Sequence, residues 1–250
     1  MTTTRPGVAA LAAGMIYLGV LGLANSDFAM VWQPVPSWVP WREALAYAFA
    51  ATSLAAGLGL LWQRTAARAS AVALGYMLLW WVLLRIPAFL ASPAINAGGL
   101  GENAVTLSGA LALYASLHSS DGPLGFLHGQ GGIRLAKILL GAGLIGCGEA
   151  HFYFLKQTAG FIPAWIPGHT AWAIATGSGF LAAAAAILLG VSARLAAASV
   201  TAMMATFTLL IWLVDVAHSP TDRFQWTGLA VSWTLMAAAW VVTESYRDTG

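Results

Sequence analysis

Apolar residues in this chain come in long, nearly unbroken runs, separated by short polar or proline-bearing joints. A segment needs about 20 residues, each rising roughly 1.5 Å, to cross a bilayer as a helix. Eight runs meet or approach that length: 7–25, 43–63, 66–90, 101–117, 133–155, 169–190, 192–217 and 226–243. The fourth and eighth are the shortest. The stretch from His118 to Gly132, with Ser, Asp, Pro and five Gly, is the one extended polar joint, and it divides the chain into equal halves.

The halves resemble each other. Pro36-Ser37-Trp38-Val39-Pro40 recurs 127 positions later as Pro163-Ala164-Trp165-Ile166-Pro167. The same offset lays Ala91-Ser92-Pro93 on His218-Ser219-Pro220 and Gly101 on Gly228. The pattern therefore predicts an all-α membrane protein of eight transmembrane helices, arranged as two tandem four-helix repeats. The first repeat spans 1–118, a cytoplasmic linker 119–132, and the second repeat 133–250. An even number of helices per repeat inserts both the same way, related by an axis along the membrane normal rather than inverted. The opening apolar run, with small residues at Gly22-Leu23-Ala24, looks like a cleavable signal, but its counterpart in the second half argues that it is retained.

Composition strengthens the membrane reading. The chain is 59% apolar and 8% charged, with a mean hydropathy of +0.76. About 25% charged residues is usual for soluble domains, so these side chains are too few to cover a water-exposed surface. The net charge of +2 comes without a Lys/Arg block able to grip nucleic acid or anionic lipid, so neither is an expected partner from the sequence. Cys147 is the only cysteine, which excludes an internal disulfide. With the N-terminus inside, Arg5, Arg64, Arg68, Arg134, Lys137, Arg194 and Arg247 face the cytoplasm, against Arg42, Arg85, Lys156 and Arg223 outside. Both termini are then cytoplasmic, and both Pro-Trp-Pro loops lie on the outer face of a bacterial inner membrane.

Against this background each ionisable residue asks for an explanation, because a mid-bilayer charge costs roughly 2.5–3.5 kcal/mol on insertion scales. Glu149, His151, His169, Asp215 and His218 all fall in the second half, near the same face. Asp215 and His218 are three apart, so they share a helix face and are able to touch. Glu149 and His151, two apart, point away from each other on a regular helix. The first half has Arg42 in place of His169, and Ala88 and Ala91 in place of Asp215 and His218. One half therefore reads as scaffold and the other as the holder of any site. The same residues also have structural readings, as interfacial side chains or helix-to-helix polar contacts. The twelve Trp have two readings too, interfacial anchors or the walls of a flat slot. No phosphate-binding glycine loop, nucleophile elbow or zinc-helix motif occurs, and no metal site is expected.

The second half resembles the DoxX-like family of small bacterial membrane proteins. The resemblance rests on Ala150-His151-Phe152, Thr158-Ala159, Ile162 to His169, Trp172, Thr176-Gly177, Arg194-Leu195-Ala196-Ala197, Asp222-Arg223 and Trp226-Thr227, across about residues 133–243. The first half is a weaker match, through Trp38, Pro40, Gly57 and Gly101-Glu102. This resemblance implies a fused pair of DoxX-like units. It also implies relatives such as the membrane subunit of a thiosulfate:quinone oxidoreductase, partners of thiol-stress enzymes, and assembly factors.

The leading functional expectation is a membrane subunit for quinone-linked redox chemistry, working with a redox or periplasmic partner protein. His151 would hydrogen-bond a quinone carbonyl, Asp215 and His218 would relay the proton, Trp165 and Trp172 would wall the slot, and His169 would help bind the quinone. The alternatives are a non-enzymatic assembly or scaffold protein and, third, a small-molecule transporter. The Lys/Arg bias makes one directional prediction. Cysteines placed at Ser37 and Ala164 in a Cys147→Ala background should react with membrane-impermeant reagents from outside the cell. Reaction only with reagent delivered from the cytoplasm would reverse the orientation.

Overall fold

A computed structural model describes residues 5–119 and 125–247. Within them lie eight long helices: α1 (Pro6–Asn25), α2 (Arg42–Leu60), α3 (Gln63–Ala91), α4 (Pro93–Leu117), α5 (Gly129–Tyr153), α6 (His169–Leu189), α7 (Ala193–His218) and α8 (Arg223–Ser245). A short helix of six residues, Leu155–Gly160, follows α5. No strand occurs among the described residues. Residues 120–124 of the expected linker lie outside the described residues, and α5 already begins at Gly129, inside the expected linker.

Seven of the eight helices are long and apolar enough to cross a membrane, so the chain is a multi-pass integral membrane protein in contact with the bilayer. The eighth, α4, has 25 residues but carries Asn96, Glu102, Asn103 and glycines at 98, 99, 101 and 109. Its burial explains that composition. From Asn103 to Leu113 every residue is buried, so neighbouring helices rather than lipid surround this segment.

The packing forms a closed ring in which each helix touches the next, from α1 to α8, and α8 returns to α1. α4 and α8 also meet each other across the middle. The first helix of each half thus packs on the last helix of the other half, α1 on α8 and α5 on α4. In a bilayer, apolar side chains gain little by exchanging lipid for one another, so tight approach must come from small residues. A Cβ at Gly98 would lie 2.7 Å from that of Ala150, and one at Gly143 would lie 2.8 Å from the Gly101 carbonyl. Across the centre, a Cβ at Gly109 would lie 2.6 Å from that of Ala238. Any side chain at these positions would push the helices apart.

Element positions recur between the halves. α2 and α6 begin at 42 and 169, 127 positions apart. α3 and α7 each contain one π-helical turn, at Trp81–Arg85 and Thr208–Trp212, again 127 apart. A π turn is rare and needs a local cause, such as bonds that its spare carbonyls can accept. In α7, Thr208 Oγ1 bonds the Met204 carbonyl at 2.9 Å and lies 2.8 Å from Ser232 Oγ of α8. In α3 the turn places Arg85, which is buried, against the loop that follows α1.

The charges segregate by end. Asp27, Arg42 and Arg223 meet at the end bearing both Pro-Trp-Pro loops. At the opposite end, the Gly7 N–H donates to Glu244 Oε1 at 3.0 Å, tying the start of α1 to the last turn of α8.

Candidate functional site

Among the described residues, no hydrogen bond, ion pair or ring contact joins the residues singled out in the second half to one another. His151 lies near the end of α5, half-buried, its ring 5.2 Å from that of Phe180 and 6.3 Å from that of Phe207. Its Nδ1 lies 2.8 Å from the Cys147 carbonyl. A carbonyl only accepts, so Nδ1 carries the hydrogen, and a neutral ring presents a lone pair at Nε2. His218 is exposed and bonds the Val214 carbonyl of its own helix at 2.8 Å. Asp215 is half-buried, and no hydrogen bond or ion pair joins it to His218 among the described residues. The shared helix face is therefore present, but the His218 ring turns back onto its own backbone. Glu149 is exposed, and His169 is half-buried in the first turn of α6.

Trp165 and Trp172 are 70% and 53% exposed, and neither makes a ring contact with His151 among the described residues. His151 Nε2 is thus left as a hydrogen-bond acceptor in a three-ring cluster with Phe180 and Phe207, whose own centroids are 6.2 Å apart. A nitrogen lone pair matches a quinol hydroxyl better than a quinone carbonyl. Among the described residues no group of three or more His, Cys, Asp or Glu stands close enough to hold a metal ion.

The stronger polar organisation lies in the first half, where the loop between α1 and α2 folds inward. Phe28, Trp32 and Gln33 are buried, although no helix contains them. Non-helical backbone at membrane depth must find partners inside the protein. Here Arg85 donates to the carbonyls of Val31 and Trp32, the latter at 2.9 Å. Gln33 Nε2 donates to Tyr76 Oη at 2.6 Å, while its Oε1 accepts from the Ala29 N–H at 2.9 Å. Phe28 fills the space against Phe49 and Trp80, with ring centres 6.1 and 5.6 Å away. Val31 is held at φ 63°, a left-handed conformation costly for a β-branched residue, and the Arg85 contact to its carbonyl helps hold it there.

The second half treats the matching place differently. Trp212 stands 127 positions after Arg85, at the end of the second π turn. Its ring packs on Phe161 of the loop at 5.5 Å and on Phe224 of α8 at 5.8 Å. One loop is held by a cation on carbonyls, the other by tilted and edge-on aromatic contacts. His151 lies against Phe207, and Phe28 lies against Trp80, the position 127 before it.

Asp27 is the only ionisable residue in the first loop, and it bridges the halves. Its Oδ1 accepts from Arg42, at the start of α2 in the same half, and from the Phe28 N–H at 2.8 Å. Its Oδ2 lies 3.2 Å from Arg223 Nη1, at the start of α8 in the other half. Arg223 also donates to the Phe28 carbonyl at 2.7 Å, and Arg42 sits over the Phe28 ring at 5.3 Å. Asp222 stops α8 from fraying by accepting from the Phe224 N–H at 2.8 Å. Sequence reasoning assigned Asp27 no partner. The available signal was a lone carboxylate in a loop on the same membrane face as Arg42, Arg85 and Arg223.

No protein-family model matches the chain, and no curated protein or solved structure is significantly similar to it.

Partial desolvation works against the Asp27 charge, but the Phe28 N–H, Arg223 and Arg42 outweigh it and hold the carboxyl below the usual carboxylate range. A depressed folded-state pKa adds stability above the unfolded value, near pH 4, and that increment is lost as pH falls through the folded value. Thermal midpoints of the detergent-solubilised protein should therefore fall on acidification below about pH 4. Asp27→Asn should lower the neutral-pH stability by about 1 kcal/mol, since the site is partly solvated, and remove this part of the acid dependence. An unchanged acid profile in the variant would show that Asp27 does not link the halves.

Proposed function

We propose that the protein is a non-enzymatic membrane scaffold of eight spanning helices, built from two fused four-helix units of the same orientation. The observation that carries this reading is how its interior polar groups are used. Asp27 joins α2 to α8 through Arg42 and Arg223, Arg85 and Gln33 hold a loop inside the bundle, and Glu244 caps α1. These bonds fix architecture, and the acid and base that would relay protons, Asp215 and His218, are not joined. The 127-residue recurrence of loop motifs, helix starts and π turns supports the duplication. In this reading α4 also crosses the membrane, shielded from lipid by its neighbours. The arginine-rich end, with both termini, faces the cytoplasm, and the bilayer is a bacterial inner membrane. The partner is another membrane or periplasmic protein.

A second reading, quinone-linked redox chemistry in a DoxX-like subunit, draws on His151. A neutral Nε2 beside Phe180 and Phe207 suits acceptance of a proton from a quinol hydroxyl, and a bound quinone would supply the electron chemistry. Purification in mild detergent, followed by lipid extraction and an absorbance scan, separates the two readings. The scaffold reading predicts a membrane-protein partner at constant stoichiometry and no equimolar quinone. It also predicts that Asp215→Asn leaves partner binding intact. Equimolar quinone that disappears in His151→Ala would overturn the scaffold reading in favour of the redox one.

A further inference from the structure

At the end opposite the Pro-Trp-Pro loops, a groove of about 950 Å³ opens between the start of α5, the end of α6 and the start of α7. Arg134, Lys137 and Arg194 line it together with Ser192 and Tyr246, and among the described residues no carboxylate does. Arg134 and Arg194 are exposed and make no hydrogen bond or ion pair among the described residues. Lys137 Nζ sits 3.8 Å above the Tyr246 ring, which sets the third cation at the groove wall. Ser192 precedes α7 in a left-handed conformation and makes no capping bond, so the first turn of α7 brings unbonded N–H groups to the same groove. A helix N-terminus adds partial positive charge to that of the side chains. The rim is apolar, with Leu189 77% and Leu195 68% exposed.

We propose that this groove binds the phosphate headgroup of an anionic phospholipid from the adjoining leaflet. Three cations and free N–H groups match a phosphate diester. The exposed leucines beside them match the acyl chains that only a lipid brings, which favours the lipid over soluble phosphate. Basic pockets between spanning helices at a membrane surface are suited to such headgroups. The first half has no equivalent, because Gly7, Ala10 and Ala67 stand 127 positions before Arg134, Lys137 and Arg194. One groove per chain is therefore expected, independent of whether the protein acts as a scaffold or in redox chemistry.

The test uses the full chain in nanodiscs of phosphatidylcholine with about one-fifth phosphatidylglycerol, with retained lipids counted by native mass spectrometry after gentle release. Phosphatidylglycerol should be retained over phosphatidylcholine by about tenfold relative to its share of the disc. The double substitution Arg134→Gln, Arg194→Gln should remove that preference. Arg64→Gln with Arg68→Gln, at the same end of the first half, should leave it unchanged and serves as the folding and charge control. Millimolar inorganic phosphate should not displace the lipid. Equal retention of the two lipids, an unchanged preference in the groove variant, an equal loss in the control, or displacement by inorganic phosphate would each overturn the proposal.

Discussion

Close backbone approach in a medium that gives no hydrophobic reward for it governs this structure. Lipid tails are as apolar as leucine, so helices stay together where small residues let van der Waals surfaces meet and where polar groups find each other. Both conditions are met between the halves. α4 and α5 meet through Gly98, Gly101, Gly143 and Gly146, while α4 and α8 meet at Gly109 and Ala238. The resulting ring has α4 and α8 touching across its middle, so Asn103 to Leu113 of α4, the one long helix not apolar enough to count as a membrane span by itself, is shielded from lipid. Its Asn, Glu and Gly content is tolerable only in that place.

Polar groups then lock what the glycines allow. At one end Asp27 gathers arginines from both halves, and at the other Glu244 holds the start of α1. Each contact joins residues that are close in space only if the first helix of one half lies on the last helix of the other, or if the outer loops converge. The inward-folded loop of the first half belongs to the same economy. Arg85 and Gln33 are buried, yet they remain satisfied enough to stay because the loop supplies the carbonyls, the N–H group and the side chains that helices alone would not. In the second half the clamp at the corresponding position is aromatic, Trp212 on Phe161, and needs no charge.

Much of this was legible in the pattern of residues. The runs at 7–25 and 169–190 match α1 and α6 closely, because unbroken apolar segments with proline or glycine at their borders leave little freedom. The run starting at 101 missed the first two turns of α4, since Asn96, Gly98 and Gly99 look like a loop until their burial against other helices is known. That Asp215 and His218 share one helix followed from the sequence, but their bonding did not. A histidine that turns onto its own helix carbonyl and one that turns toward an aspartate have the same sequence. The loop from Ser26 to Trp41 read as a surface joint with three prolines. Its inward fold depends on Arg85 and Tyr76, more than 40 positions away, and no local signal reports that.

The account stands or falls on helix exchange between the halves, in which α1 closes on α8. A Cβ at Gly14 would lie 3.3 Å from the Thr234 Cα, near enough for a disulfide between these positions. In a Cys147→Ala background, Gly14→Cys with Thr234→Cys can be oxidised in native membranes and the connection between the halves then cut at an inserted protease site. The two fragments should remain joined without reductant and separate when it is added. Fragments that separate without reductant would contradict the arrangement.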